Sequence, residues 1–122
     1  MEEQASHINL DALNALCKGD KDKKARYLHQ FIKMQTPSIK KLKSDLETEN
    51  RSGVVGEIHF MSPQLQFFGI DDFKDLLRRE KESPFLQFNE LRSRVLEGID
   101  CIEKAMEEVK AILEDQSNTI DL

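Results

Sequence analysis

The chain has 122 residues, with five glycines, three prolines, two cysteines, no tryptophan, and acids and bases interleaved to a net charge of −5. This is one domain's length in helix-forming composition, and it excludes both a disulfide-built scaffold and a nucleic-acid surface, which needs a dense basic face. No apolar run approaches the roughly 18 residues of a membrane span, and MEEQASH is too polar for a signal peptide, so a cytoplasmic protein is expected.

Residues 1–8 read as a loose polar lead. From Asn9, a plausible N-cap, Leu10, Leu13, Leu16 and Cys17 share one face of a short first helix that Gly19 can close. Asp20 can cap a long second helix, where Leu28, Phe31, Ile32, Gln35, Ile39, Leu42 and Leu46 recur at steps of three and four to about Glu49. Pro37 removes one amide from that helix, but the apolar phase runs through it unchanged, so a bend near Thr36 is expected rather than a break. Residues 47–53 read as a turn with Asn50 or Ser52 as the next N-cap.

A third helix is predicted from about Gly53 to Phe68, with Val54, Ile58, Met61, Leu65 and Phe68 pointing inward and Gly69 ending it. Asp71 and Asp72 suit the first turn of a fourth helix, where negative charge meets the positive end of the dipole, and Phe73, Leu76 and Leu77 give it an apolar side. Ser83-Pro84 marks the start of the last helix. That helix carries the clearest stripe, Phe88, Leu91, Val95, Ile99, Ile102, Met106, Val109 and Leu113, and its tail from Gln116 reads as frayed.

The stripe would also suit a coiled-coil dimer, but the preceding helices need a partner for their own apolar faces. The expected fold is therefore all-α, an antiparallel four-helix bundle with an additional short N-terminal helix, monomeric. One domain spans residues 1–122, with the bundle over about 9–115 and flexible ends at 1–8 and 116–122. The initiating methionine and polar ends suit a free-standing protein. Cys17 and Cys101 lack a CxxC partner and read as buried free thiols.

Spacing tests the enzyme constellations. Ligands on one helix face must be three or four residues apart, and neither HExxH nor Glu-x-x-His occurs: three residues before His59 is Gly56, and three before His29 is Arg26. No GxSxG, P-loop or glycine-rich nucleotide loop is present. No metal site and no autonomous enzyme is expected. His7, in the polar lead, and His29, on a Lys-rich helix, read as exposed bystanders. His59 differs, because three of its four helical neighbours, Val55, Gly56, Ser62 and Pro63, are small or compact and leave the imidazole open to an approaching domain.

The stretch EIHFMSPQLQFFGI, residues 57–70, resembles the histidine phosphotransfer (HPt) domain of two-component phosphorelays. The family's motif is an exposed bundle-helix histidine followed by a hydrophobic residue at +2, lysine at +3, a small residue at +4 and glycine at +10. Here these positions hold His59, Met61, Ser62, Pro63 and Gly69. Residues 13–42, LNALCKGDKDKKARYLHQFIKMQTPSIKKL, resemble the family's first two helices with a proline in the second, so the resemblance covers most of the chain.

The resemblance implies a phosphocarrier in which His59 accepts a phosphoryl group from a receiver-domain aspartate and passes it to another receiver. The partners implied are response-regulator receiver domains and a hybrid histidine kinase. No cofactor is expected in this chain, since the Mg²⁺ belongs to the receiver. Ser62 replaces the usual lysine and brings no charge, so Lys40 and Lys43, placed in range if His59 lies level with Leu42, are candidate substitutes, with Gly56 and Pro63 beside the phosphate. Docking is expected on Val55, Gly56, Phe60 and Pro63; Phe60 is either an exposed apolar contact or a buried packing residue. The alternative is a helical adaptor or degenerate HPt that binds receivers or kinases without phosphotransfer.

Overall fold

The computed structural model describes residues 7–74, 76, 78 and 87–121, with side chains described as far as Asp115. The fold is all-α, with no strand among the described residues. Its helices are α1 (Asp11–Cys17), α2 (Lys21–Glu47), α3 (Arg51–Phe67) and α4 (Phe88–Asp121). Residues 72–74, 76 and 78 are also helical, where the fourth helix was predicted. Leu77 and the Ser83-Pro84 start signal lie outside the described residues.

The caps explain where the helices begin and end. Asp20 accepts a hydrogen bond from the Lys23 amide at 3.0 Å, and Asn50 accepts one from Gly53 at 3.0 Å, so α2 and α3 each start on a side-chain oxygen that holds a first-turn amide. Asn9 serves α1 one position earlier than a strict N-cap, accepting from the Asp11 amide at 2.9 Å, while Leu10 flanks the helix. α3 closes in a Schellman turn: the Gly69 amide donates to Gln66 O at 2.9 Å and the Ile70 amide to Leu65 O at 2.8 Å, with Gly69 at φ +78°. α2 closes in the same way through Glu49, a non-glycine residue at φ +55°. There the Glu49 amide donates to Leu46 O and the Asn50 amide to Asp45 O.

The stripes read from the sequence on α2, α3 and α4 are buried or packed against the core, whereas Leu16 of the predicted α1 face is 42% exposed. Leu28, Phe31, Ile39, Leu42 and Leu46 of α2 meet Val54, Ile58, Met61 and Leu65 of α3 and Leu91, Val95, Ile99, Ile102, Met106 and Val109 of α4 in one apolar cluster. Each large side chain removed from water contributes about 1.5–3 kcal/mol before chain entropy is subtracted. α2 is the central element, packing on α1, α3 and α4. It runs unbroken through Pro37. α3 lies antiparallel to α2, since Gln35 Nε2 donates to Gln64 Oε1 at 2.6 Å while Asp45 faces Gly53 near the turn. α4 is antiparallel to α2 as well: Arg92 donates to Leu46 O at 2.9 Å, and further along Lys43 Nζ reaches Glu103 Oε2 at 3.0 Å.

Three further places differ from the sequence reading. α4 continues to Asp121 rather than ending near residue 115. His7 is no bystander: its amide donates to Glu108 Oε2 at 2.9 Å and its Nδ1 lies 2.7 Å from the same oxygen, tying the end of the lead to α4, while Ile8 packs on the core. A single ring meeting a carboxylate on a distant helix leaves no trace in sequence periodicity. Cys17 is buried as expected, but Cys101 is half-buried beside Asp72. Burial, then the charge of Asp72 and its hydrogen bond, push this thiol up to about 11.

Candidate functional site

The outward face of α3 follows from its inward one. With about 100° of rotation per residue, the buried set Val54, Ile58, Met61 and Leu65 leaves Ser52, Gly56, His59, Pro63 and Gln66 on a strip facing solvent. His59 and Phe60 are exposed on the two edges of this strip, with Gly56 and Pro63 between them. Val55 is half-buried at its margin.

His59 has no hydrogen bond or ion pair to another described residue. A Cβ added at Gly56 meets nothing within 4 Å, so the turn before the imidazole is open space. The exposed Pro63, one turn later, lacks the amide that would close on the His59 carbonyl. Gly56 thus leaves open space beside the imidazole, and Pro63 is exposed next to it. Phe60, for which two placements stood open, is exposed at 61%. Gly69 closes the helix through its left-handed turn, and there a Cβ would fall 2.5 Å from Asn9 Cβ.

The remaining phosphate-neighbouring residues are placed otherwise than expected. Ser62 is only 7% exposed, and its hydroxyl donates to Ile58 O at 2.7 Å, so the donor is turned back onto its own helix instead of toward His59. Short hydroxyl side chains in helices commonly satisfy themselves in this way, as Thr36 does on Ile32 O. Lys40 and Lys43 lie on the wrong flank of α2. With Thr36, Ile39, Glu103 and Met106 they line the groove toward α4, and Lys43 is bonded to Glu103. The register set by Gln35–Gln64 and Asp45–Gly53 places His59 level with Ile39 and Lys40, close to the expected height. The error is one of rotation: the exposed flank of α2 toward α3 carries Lys33, Pro37 and Lys41, which line the groove between the two helices.

The second feature of this face, which sequence reasoning missed, is a groove of about 940 Å³ between α2 and α3. Tyr27, Met34, Pro37 and Phe60 give it apolar walls, and Arg26, Lys33 and Lys41 stand along it with one acid, Glu57. Lys41 Nζ is 2.7 Å from Asp45 Oδ2; this hydrogen bond is the main cause that raises the Lys41 ammonium above its ordinary value, with smaller attractions from the charges of Asp45 and Glu57. The available signal was the recurrence of residues 26, 30, 33, 37 and 41 at helical spacing, a second stripe on α2 that is neither core nor uniformly charged.

Among the described residues no group of three or more His, Cys, Asp or Glu side chains is placed to hold a metal ion, and no helix is long and apolar enough to cross a membrane. Comparison with family models, with curated proteins and with solved structures returned no match to this chain.

Proposed function

We propose that this chain is a phosphorelay intermediate in which His59 carries the phosphoryl group. The observation that carries the reading is the exposed imidazole on the outward face of α3, without a partner among the described residues, with open space at Gly56 and a compact proline one turn on. An unprotonated imidazole nitrogen is a competent nucleophile near neutral pH. It would attack the phosphorus of a receiver's aspartyl phosphate, forming an N–P bond as the O–P bond breaks and the aspartate leaves as a carboxylate. Onward transfer to a second receiver reverses the bonds. The receiver would bring the acceptor carboxylate and Mg²⁺, so this surface need supply only the nucleophile, its orientation and a docking face.

The test is incubation with phosphorylated receiver domains. The expected result is acid-labile, alkali-stable phosphate on the wild-type chain and none on His59→Gln; equal labelling of that variant contradicts the assignment.

A second reading is an adaptor that docks receivers or kinases without accepting phosphate. It is favoured by the placement of Ser62, Lys40 and Lys43, none of which offers a donor at His59. Receiver binding retained with no label from any cognate receiver would select it.

A further inference from the structure

We infer that the α2–α3 groove is a docking site for an acidic amphipathic helix of a partner protein, separate from whatever reaction His59 performs. Phe60, 61% exposed, is a large apolar ring left in water at the groove's edge, and Tyr27, Met34 and Pro37 continue the apolar surface beside it. Exposed apolar surface of this kind, rimmed by charge, marks an interaction site.

The occupant follows from charge and length. The molecule is acidic overall, at −5, yet this groove carries three cations and one acid. Lys41 is committed to Asp45, whereas Arg26 and Lys33 have no ion pair among the described residues. They lie two turns apart on one face of α2, about 10 Å along the axis. From Arg26 to Lys41 the groove follows α2 for about 22 Å, the length of a helix of four turns. A partner helix with carboxylates seven residues apart meets both cations, while apolar residues on the same face, continuing into its following turns, cover Met34, Pro37 and Phe60. Lysines flanking such a helix would instead face Arg26 and Lys33 and be repelled.

The groove and His59 lie on opposite sides of the α3 strip. Glu57 and Phe60 turn toward α2, and His59 turns to the other edge, so a bound helix leaves the imidazole accessible.

The probe is a fluorescein-labelled sixteen-residue peptide with glutamates seven residues apart and leucines on the same face, titrated with the full chain and read by anisotropy. Saturable binding is expected, weakened roughly tenfold or more by Phe60→Ala and by Lys33→Glu. It should also weaken markedly at about 1 M salt, where the screening length falls to roughly 3 Å. Both substituted side chains are at the groove surface, and circular dichroism checks that the helices persist. His59→Gln should bind as wild type, which keeps the result independent of the phosphorelay reading. Absence of saturable binding overturns the inference, as does binding indifferent to Phe60→Ala or equal binding of a peptide with lysines in place of the glutamates. Self-association of the chain that Phe60→Ala abolishes also overturns it, assigning the groove to a second copy. Binding to anionic vesicles, with no peptide binding, overturns it in favour of a lipid surface.

Discussion

At the residue scale, glycines that look alike in the sequence have opposite physical roles. Gly56 sits in open space in mid-helix, where glycine costs about 0.5–1 kcal/mol relative to alanine. Gly56→Ala should therefore raise the unfolding free energy by about that amount in denaturant titration, while Gly56→Trp should leave the fold intact and obstruct any partner that approaches His59. Gly69 combines φ +78° with the close approach of Asn9, whose amide donates to Phe68 O at 2.8 Å. Gly69→Ala should cost about 1–3 kcal/mol, because the added methyl meets both a left-handed backbone and the Asn9 side chain. Gly98 is occluded from the other direction, since a Cβ there would overlap the buried Phe73 ring. Gly98→Ala should destabilise by about 1–3 kcal/mol through overpacking, again read by denaturant titration. Cys101 provides a pH signature. Its thiol, pushed up to about 11 mainly by burial and by Asp72, stays protonated in the folded chain above the range where an unfolded cysteine ionises. Any stability it contributes is thus complete below about pH 8.5 and declines as pH rises toward 11. Iodoacetamide labelling of Cys101 in the folded chain should stay slow at pH 9 and accelerate only on approach to pH 11.

At the element scale, α2 and α3 end in the same turn, with glycine in one and glutamate in the other. Glu49 occupies the left-handed position at φ +55° that Gly69 occupies at the end of α3. Among the described residues its carboxylate has only a long, exposed approach of 3.7 Å to Arg92, which contributes little. Glu49→Gly should therefore stabilise the protein by about 0.5–1 kcal/mol, seen as a rise of several degrees in Tm. The helices themselves were legible in the sequence because burial imposes a period: Val54, Ile58, Met61, Leu65 and Phe68 are inward as their spacing requires, and Asp20 and Asn50 cap as their chemistry allows. What the sequence did not carry was the rotation of α2 relative to α3. Periodicity identifies which residues share a face, but it does not say which neighbouring helix that face meets. Lys40 and Lys43 were therefore placed at nearly the right height and on the wrong side.

At the scale of the whole molecule, α2 separates two surfaces. On its α4 side Lys43 pairs with Glu103, and Arg92 holds the Leu46 carbonyl in the last turn of α2. On its α3 side lies an open groove with apolar walls and two cations that have no ion pair among the described residues, beside a strip that presents His59. The candidate site was legible from small neighbours around one histidine, Gly56 and Pro63 above all. The orientation of Ser62 was not, because a helical hydroxyl can point to a neighbour or bond back to its own helix, as exposed Thr36 and buried Ser62 both do, and residue spacing does not distinguish the two. The central claim, that His59 is a phosphoryl acceptor, is tested most directly by mass spectrometry at neutral pH after incubation with phosphorylated receiver domains. The account predicts one added phosphate, located on the peptide that contains His59 and absent from His59→Gln. Phosphate on another residue, or a wild-type chain that binds the receivers and stays unmodified, would contradict it.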